Sequence, residues 1–284
     1  MNVQHKADIA LILVTVFWGA SVMLTKIGLQ GLTEFNLIAL RSIIAFATTA
    51  AIFHKHVRQV DRNTLKYSAL IGLLLTVVFA FMNYGVQYTS ASNAGFLTCI
   101  AAIFVPMLSF ICLKTKIQQK TIFSIFLAII GVALLTLKES MTFQVGDIYC
   151  ILCSLFFAVH IVVTGQLTQK VDSLNLGIFQ LGFLAIYSTL IAIAIETPQL
   201  PSTPSSWGVV LALSLFCSAF GFVTQTVAQK YTSAVHTGLI FSLEPVFAAF
   251  FAFMVFKEIL TIQGYVGALL LFASLIIVEV DFSW

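Results

Sequence analysis

The sequence predicts an all-α, polytopic membrane protein whose ten transmembrane helices form two inverted five-helix repeats around a central cavity. Three observations carry that prediction. Of the 284 residues, 60% are hydrophobic and only 9% charged, against about a quarter charged in soluble domains, and the mean hydropathy is +1.04. Almost the whole chain divides into apolar runs of about 20 residues, each long enough at about 1.5 Å per residue to cross about 30 Å of hydrocarbon. Finally, the second half repeats the first in register, and each copy holds an odd number of runs.

The runs are residues 7–29, 34–53, 64–87, 90–113, 119–138, 145–168, 173–196, 206–229, 233–256 and 262–281. His5 and Lys6 precede the first as they would in a signal peptide. Its apolar stretch outlasts the roughly 7 to 15 residues of such a leader, so it is expected to stay as an anchor. The longest hydrophilic stretch is His54 to Asn63, and no soluble domain is expected.

With ten spans, Lys6, Lys55, Arg58, Arg62, Lys66, Lys114, Lys116, Lys120, Lys170 and Lys230 share the face of the N-terminus, and only Lys26, Lys138 and Lys257 lie opposite. Lys and Arg accumulate on the cytoplasmic side. Both termini are therefore expected in the cytoplasm, in a multi-pass protein of the cell (plasma) membrane. The net charge of +3 reflects this asymmetry, and without a basic stripe interleaved with aromatics no nucleic acid partner is expected. Of the five cysteines, Cys150 and Cys153 form a CxxC, but inside the sixth run beside Phe156 and Phe157. A redox or metal site needs polar support and an access route. Apolar packing is expected instead, with no disulfide, metal or cofactor.

Phe17, Trp18, Ser21 and Thr25 lie 139 positions before Phe156, Phe157, His160 and Thr164, and at the same offset Asn36, Leu37 and Arg41 meet Asn175, Leu176 and Gln180. Further on the offset is 143: YTSA at Tyr88 to Ala91 returns at Tyr231 to Ala234, and Gly95, Phe104 and Lys114 return as Gly238, Phe247 and Lys257. The units are expected at residues 1–140 and 141–284. Five spans is an odd number, so the second copy must be inverted in the membrane.

In the ninth run Glu244 stands beside Pro245. An ionisable group at membrane depth costs about 3 kcal/mol and points to function. The proline frees backbone carbonyls that only neighbours or cavity water can satisfy. At 100° per residue Ser233, Thr237, Glu244 and Ala248 share an arc. Other runs carry polar stripes of the same kind: Trp18, Ser21 and Thr25; Thr76, Ala80, Asn83 and Gln87; Phe156, His160 and Thr164; Gly177, Gln180 and Tyr187; Ser218, Gln225 and Gln229. Taken singly, such amides can be interhelical glue; their convergence suggests a solute site. The candidate binding residues are Trp18, Ser21, Arg41, Asn83, His160, Gln180, Gln225, His236 and Glu244. Counting rise from the span ends brings Arg41 within reach of Glu244, either as a pair or through a shared solute.

The FWGAS start (Phe17 to Ser21), Arg41, YTSASNAGFLT (Tyr88 to Thr98), VPML (Val105 to Leu108), the second YTSA, EPVFAA (Glu244 to Ala249) and Lys257–Glu258 resemble the EamA-like branch of the drug/metabolite transporter superfamily. The resemblance covers essentially the full length. It implies a basket of ten helices, with a central cavity lined mostly by spans 1 to 4 and 6 to 9 and with spans 5 and 10 at the periphery. One departure is that Lys114 is followed by Thr115, where the family often repeats the Lys–Glu pair.

Inverted repeats are the architecture of secondary transporters. The expectation is a transporter, working as an exporter, that moves a small metabolite by alternating access. An amino acid is the first choice, because Arg41 and Glu244 offer opposite charges beside amides and an aromatic. Phosphorylated solutes would call for clustered Lys and Arg. No GxxxxGK[ST] loop occurs, so a gradient or exchange would supply the energy, with a proton as candidate coupling ion. A membrane-embedded enzyme is the alternative, but GxSxG and HExxH are absent. A receptor is a third reading, and it needs no inverted repeat. The solute and the oligomeric state are left open.

Overall fold

A computed structural model of the chain describes residues 3–89, 91–114, 118–136, 144–256 and 261–279. Among the described residues every regular element is helical. The Lys257–Glu258 pair, Thr115, Lys116 and Lys138 fall outside them.

The helices begin where short polar side chains can take up their orphan amides. Asp61 accepts from the Thr64 amide at 2.6 Å, Asp172 from Asn175 at 2.8 Å and Ser233 from His236 at 3.1 Å. The hydrogen bond donated by the Thr64 backbone N–H also holds the Asp61 carboxyl below its ordinary pKa. Gln144 and Asp147 form a capping box, and Pro204 occupies a first-turn position where its missing N–H costs nothing.

The elements are α1 (Val3–Gly28), α2 (Glu34–Ile52), the short α3 (His54–Val57), α4 (Arg62–Tyr88), α5 (Ala91–Cys99), α6 (Ala101–Leu113), α7 (Gln119–Thr136), α8 (Val145–Leu167) and α9 (Ser173–Ile195). Then come α10 (Pro204–Ala212), a π-helical segment (Leu213–Phe220), α11 (Gly221–Ala228), α12 (Ala234–Phe241), α13 (Glu244–Phe256) and α14 (Ile262–Glu279). Seven helical stretches are long and apolar enough to cross a membrane, and three shorter apolar helices cover Leu97–Leu113, Gln119–Leu134 and Ile262–Ser274. All of them fall within or overlap the expected runs, seven at spanning length, with three differences of local structure. The fourth run breaks at Ile100 and the ninth at Ser242–Leu243, while the eighth winds as a π-helix through its middle. Pro245 lies directly after the second break, where its missing N–H cannot continue the ladder.

Packing gathers the long helices into one bundle. Helix α4 lies against α8 and α9, α2 against α9, α1 against α12 and α13, and α7 against α14. Close approach is bought by glycine at Gly19, where a Cβ would stand 2.6 Å from Phe247 Cβ and 2.8 Å from the Ala248 amide nitrogen. The outer surface is apolar, with Ile43, Phe126, Leu190, Ile193, Leu269 and Phe272 exposed. This is the inverse of a soluble protein and what lipid as solvent requires.

Candidate functional site

A cavity of about 710 Å³, its mouth included, lies inside the bundle. Its walls come from α1, α2, α4, α5, α6, α8, α11, α12 and α13; neither α7, α14 nor α9 contributes. Both helix breaks face it, through Thr98, Cys99, Ala101 and Ala102 at one and Phe241, Ser242 and Glu244 at the other. A break frees backbone polar groups, and in a membrane these are tolerable where they line a cavity.

Aromatic rings cluster on the wall. The Trp18 ring lies 4.8 Å from Phe241, 5.0 Å from Phe222 and 5.7 Å from Phe157, and Phe79 lies 5.6 Å from Phe222. Trp18 is fixed by its indole N–H, which donates to the Cys217 carbonyl at 2.8 Å within the π-helical segment. A Cβ on Gly221 would fall 2.6 Å from that indole nitrogen, so glycine there makes room for the ring.

Arg41 and Glu244 bring a guanidinium and a carboxyl group to this wall. Arg41 Nε donates to Ser218 Oγ at 2.9 Å, and the guanidinium sits 4.4 Å over the Phe79 ring, a cation–π contact. The expected Arg41–Glu244 ion pair does not form. Ser218 and Phe79 hold the guanidinium instead, and among the described residues Glu244 makes no ion pair or side-chain hydrogen bond.

Of the other candidates, Trp18 and Ser21 line the cavity, while Asn83, His160, Gln180, Gln225 and His236 are not on its wall. Asn83, His160, Gln180 and His236 have partners on other helices, whereas Gln225 bonds at the end of its own. Asn83 Nδ2 donates to the Glu34 carbonyl at 3.0 Å. His160 Nε2 lies 3.0 Å from Gln180 Oε1, and Gln180 Nε2 donates to Thr226 Oγ1 at 2.7 Å. Gln225 Nε2 donates to Gln229 Oε1 at 3.1 Å, and His236 Nδ1 stands 4.0 Å from Asp8 Oδ1. For Gln225 the physical reason is phase: a stripe drawn at 100° per residue drifts off the cavity once a π-helical segment intervenes, so Phe222 rather than Gln225 faces inward. Asn83, His160 and Gln180 lie on the unbroken helices α4, α8 and α9, where bonds to neighbouring helices take up the side chains. Two carboxylates escaped the sequence reading: Asp8, buried in α1, and Glu196, which accepts from the amides of Phe35 and Asn36, both at 2.9 Å. Asp8 had a signal, since it interrupts the first apolar run.

A polytopic helical bundle around an aromatic-lined cavity is an arrangement that membrane transporters use. The chain belongs to the EamA-like transporter family, which matches residues 5–137 and again 144–280. An uncharacterized transporter of Archaeoglobus fulgidus is 29% identical over 96% of this chain and 85% of its own length. The uncharacterized transporter YetK of Bacillus subtilis is 25% identical over 93% and 84%. A crystal structure at 16% identity shares the fold, with a TM-score of 0.80 over 96% of both chains.

Proposed function

We propose that the chain is a secondary transporter exporting a small zwitterionic metabolite, such as an amino acid, by alternating access. In this reading its ten spans form two inverted repeats, residues 1–140 and 141–284, in the plasma membrane with both termini cytoplasmic. The observation that carries it is that Arg41 and Glu244 face one aromatic-walled cavity without pairing to each other. The Ser218 bond uses one of the five N–H donors of a guanidinium, which leaves others for a solute carboxylate. The Glu244 oxygens suit an ammonium group, and the rings suit an apolar side chain.

The inverted repeat is supported by the cavity wall itself. Trp18 and Phe157 stand 139 apart, while Phe79 and Phe222, Cys99 and Ser242, and Ala101 and Glu244 stand 143 apart, and all line the cavity. The helix breaks at Ile100 and Leu243 obey the same offset. Packing agrees, because α1 against α13 is answered by α8 against α6, and α4 against α9 by the π-helical segment against α2.

Purified protein in liposomes tests the reading. Counterflow of a radiolabelled amino acid, chemically unchanged, is the expected result. Product formation would point to an enzyme, and binding without flux to a receptor. A cysteine placed between His54 and Asn63 should be shielded from an impermeant thiol reagent in intact cells, and one at Pro201 should be labelled; the reverse pattern overturns the orientation.

A further inference from the structure

We propose that Thr89–Asp147 and Thr232–Asp8 are two equivalent latches that close the cavity in turn, the first at the face opposite the N-terminus and the second at the N-terminal face. The proposal rests on the inverted-repeat, alternating-access reading above.

The first latch is made in the structure. Thr89 Oγ1 donates to Asp147 Oδ1, both residues buried, while Asp147 Oδ2 accepts from the Gln144 amide at 2.8 Å. Asp147 lies in the first turn of α8, and Thr89 follows α4 just ahead of α5, so the bond ties the start of α8 to the turn that leads into a broken span. The approach is tight. A Cβ on Gly146 would lie 2.4 Å from the Tyr88 carbonyl carbon and 2.6 Å from the Thr89 nitrogen.

The second latch has the same parts. Asp8 precedes Asp147 by 139 positions, and Thr232 follows Thr89 by 143, standing ahead of α12 as Thr89 stands ahead of α5. Asp8 faces the first turn of α12, where its Oδ1 is 4.0 Å from His236 Nδ1. At the entry to that turn the Thr232 hydroxyl is buried and makes no hydrogen bond among the described residues, a position that costs free energy until an acceptor arrives. Ala7 occupies the place of Gly146, so a methyl group stands where the other face needs none. One latch is therefore made and its counterpart is not. Exchanging the roles of the two repeats makes the second and releases the first, which is what alternating access demands of a pseudo-two-fold bundle.

The threonines test this cleanly, because Asp147 also caps α8 and its replacement would disturb the helix itself. In full-length protein with the native cysteines replaced by alanine and Ser21→Cys in the cavity, the rate of reaction with an impermeant maleimide is measured from each face of oriented vesicles. Thr89→Val should raise the ratio of labelling at the face opposite the N-terminus to that at the N-terminal face about tenfold, roughly 1.4 kcal/mol. Adding Thr232→Val should bring the ratio back to within about twofold of the parent, and Thr89→Ser should leave it unchanged. If Thr89→Val is not monodisperse on size exclusion, Gly146→Ala must produce the same shift by forcing the turn apart. An unchanged ratio, or a Thr232→Val change that does not reverse the shift, overturns the latches. A parent protein that shows no flux and labels from one face whatever the threonines overturns the transport reading beneath them.

Discussion

The indole N–H of Trp18 donates to the Cys217 carbonyl, and the Cys217 thiol donates back to the Phe17 carbonyl at 3.4 Å. Helix α1 and the π-helical segment thus hold each other through both backbones, at the point where the aromatic wall begins. Trp18 is consequently a structural and a cavity residue at once. Trp18→Ala should cost about 3 to 5 kcal/mol of stability, as large-to-small changes at buried aromatics do. Trp18→Phe is the informative variant: it keeps most ring contacts, removes the indole bond to the Cys217 carbonyl at about 1 kcal/mol, and should lower flux several-fold in protein that still folds. Flux at the parent level in Trp18→Phe would remove the indole bond from the mechanism.

Glu244→Gln preserves size and removes the charge. If the carboxylate binds a solute amine, as proposed, affinity measured by ligand-induced stabilisation should fall about tenfold or more, the scale of a lost charged hydrogen bond. Retained affinity with loss of pH-driven uphill transport would instead make Glu244 the proton carrier.

Arg41→Lys keeps the charge but loses the planar fork and the stack on Phe79. Affinity for the carboxylate end of the solute should drop about as far as in Glu244→Gln, with a smaller loss for an amine lacking the carboxylate. Comparing the two ligands in a thermal-shift assay separates the charges.

His160 and Gln180 are fully buried and face each other at 3.0 Å. Each alanine variant should destabilise by roughly 1 to 3 kcal/mol, and the double variant by less than the sum, because the second change removes a partner already lost. Solute affinity in the folded fraction should stay within about twofold. A large affinity loss without destabilisation would return His160 to the cavity list.

Glu196 caps α2 from the end of α9, taking the Phe35 and Asn36 amides and the Thr33 hydroxyl. Glu196→Gln should lower the melting temperature through weakened charge-assisted bonds worth about 1.5 to 3 kcal/mol, while flux per folded molecule is unchanged.

Hydrophobic length and an ionisable group in an apolar run are one-dimensional signals, so the chain alone shows a membrane-embedded helical bundle, where its helices run, and Trp18, Arg41 and Glu244 as candidates. Asp8 carries the same signal. Which polar stripe turns inward depends on how the helices pack. His160 and Gln180 look like Ser21 in sequence, yet they are held by an interhelical bond while Phe79, Phe222 and Phe241 line the cavity. Helical phase carries a face forward only through unbroken α-helix. The π-helical segment at Leu213–Phe220 and the breaks at Ile100 and Ser242–Leu243 reset that phase, and only packing against neighbouring helices fixes how far. The same packing gave Arg41 to Ser218 and Phe79 instead of Glu244, since depth along the membrane normal sets what two side chains can reach, and rotation about each helix sets what they meet.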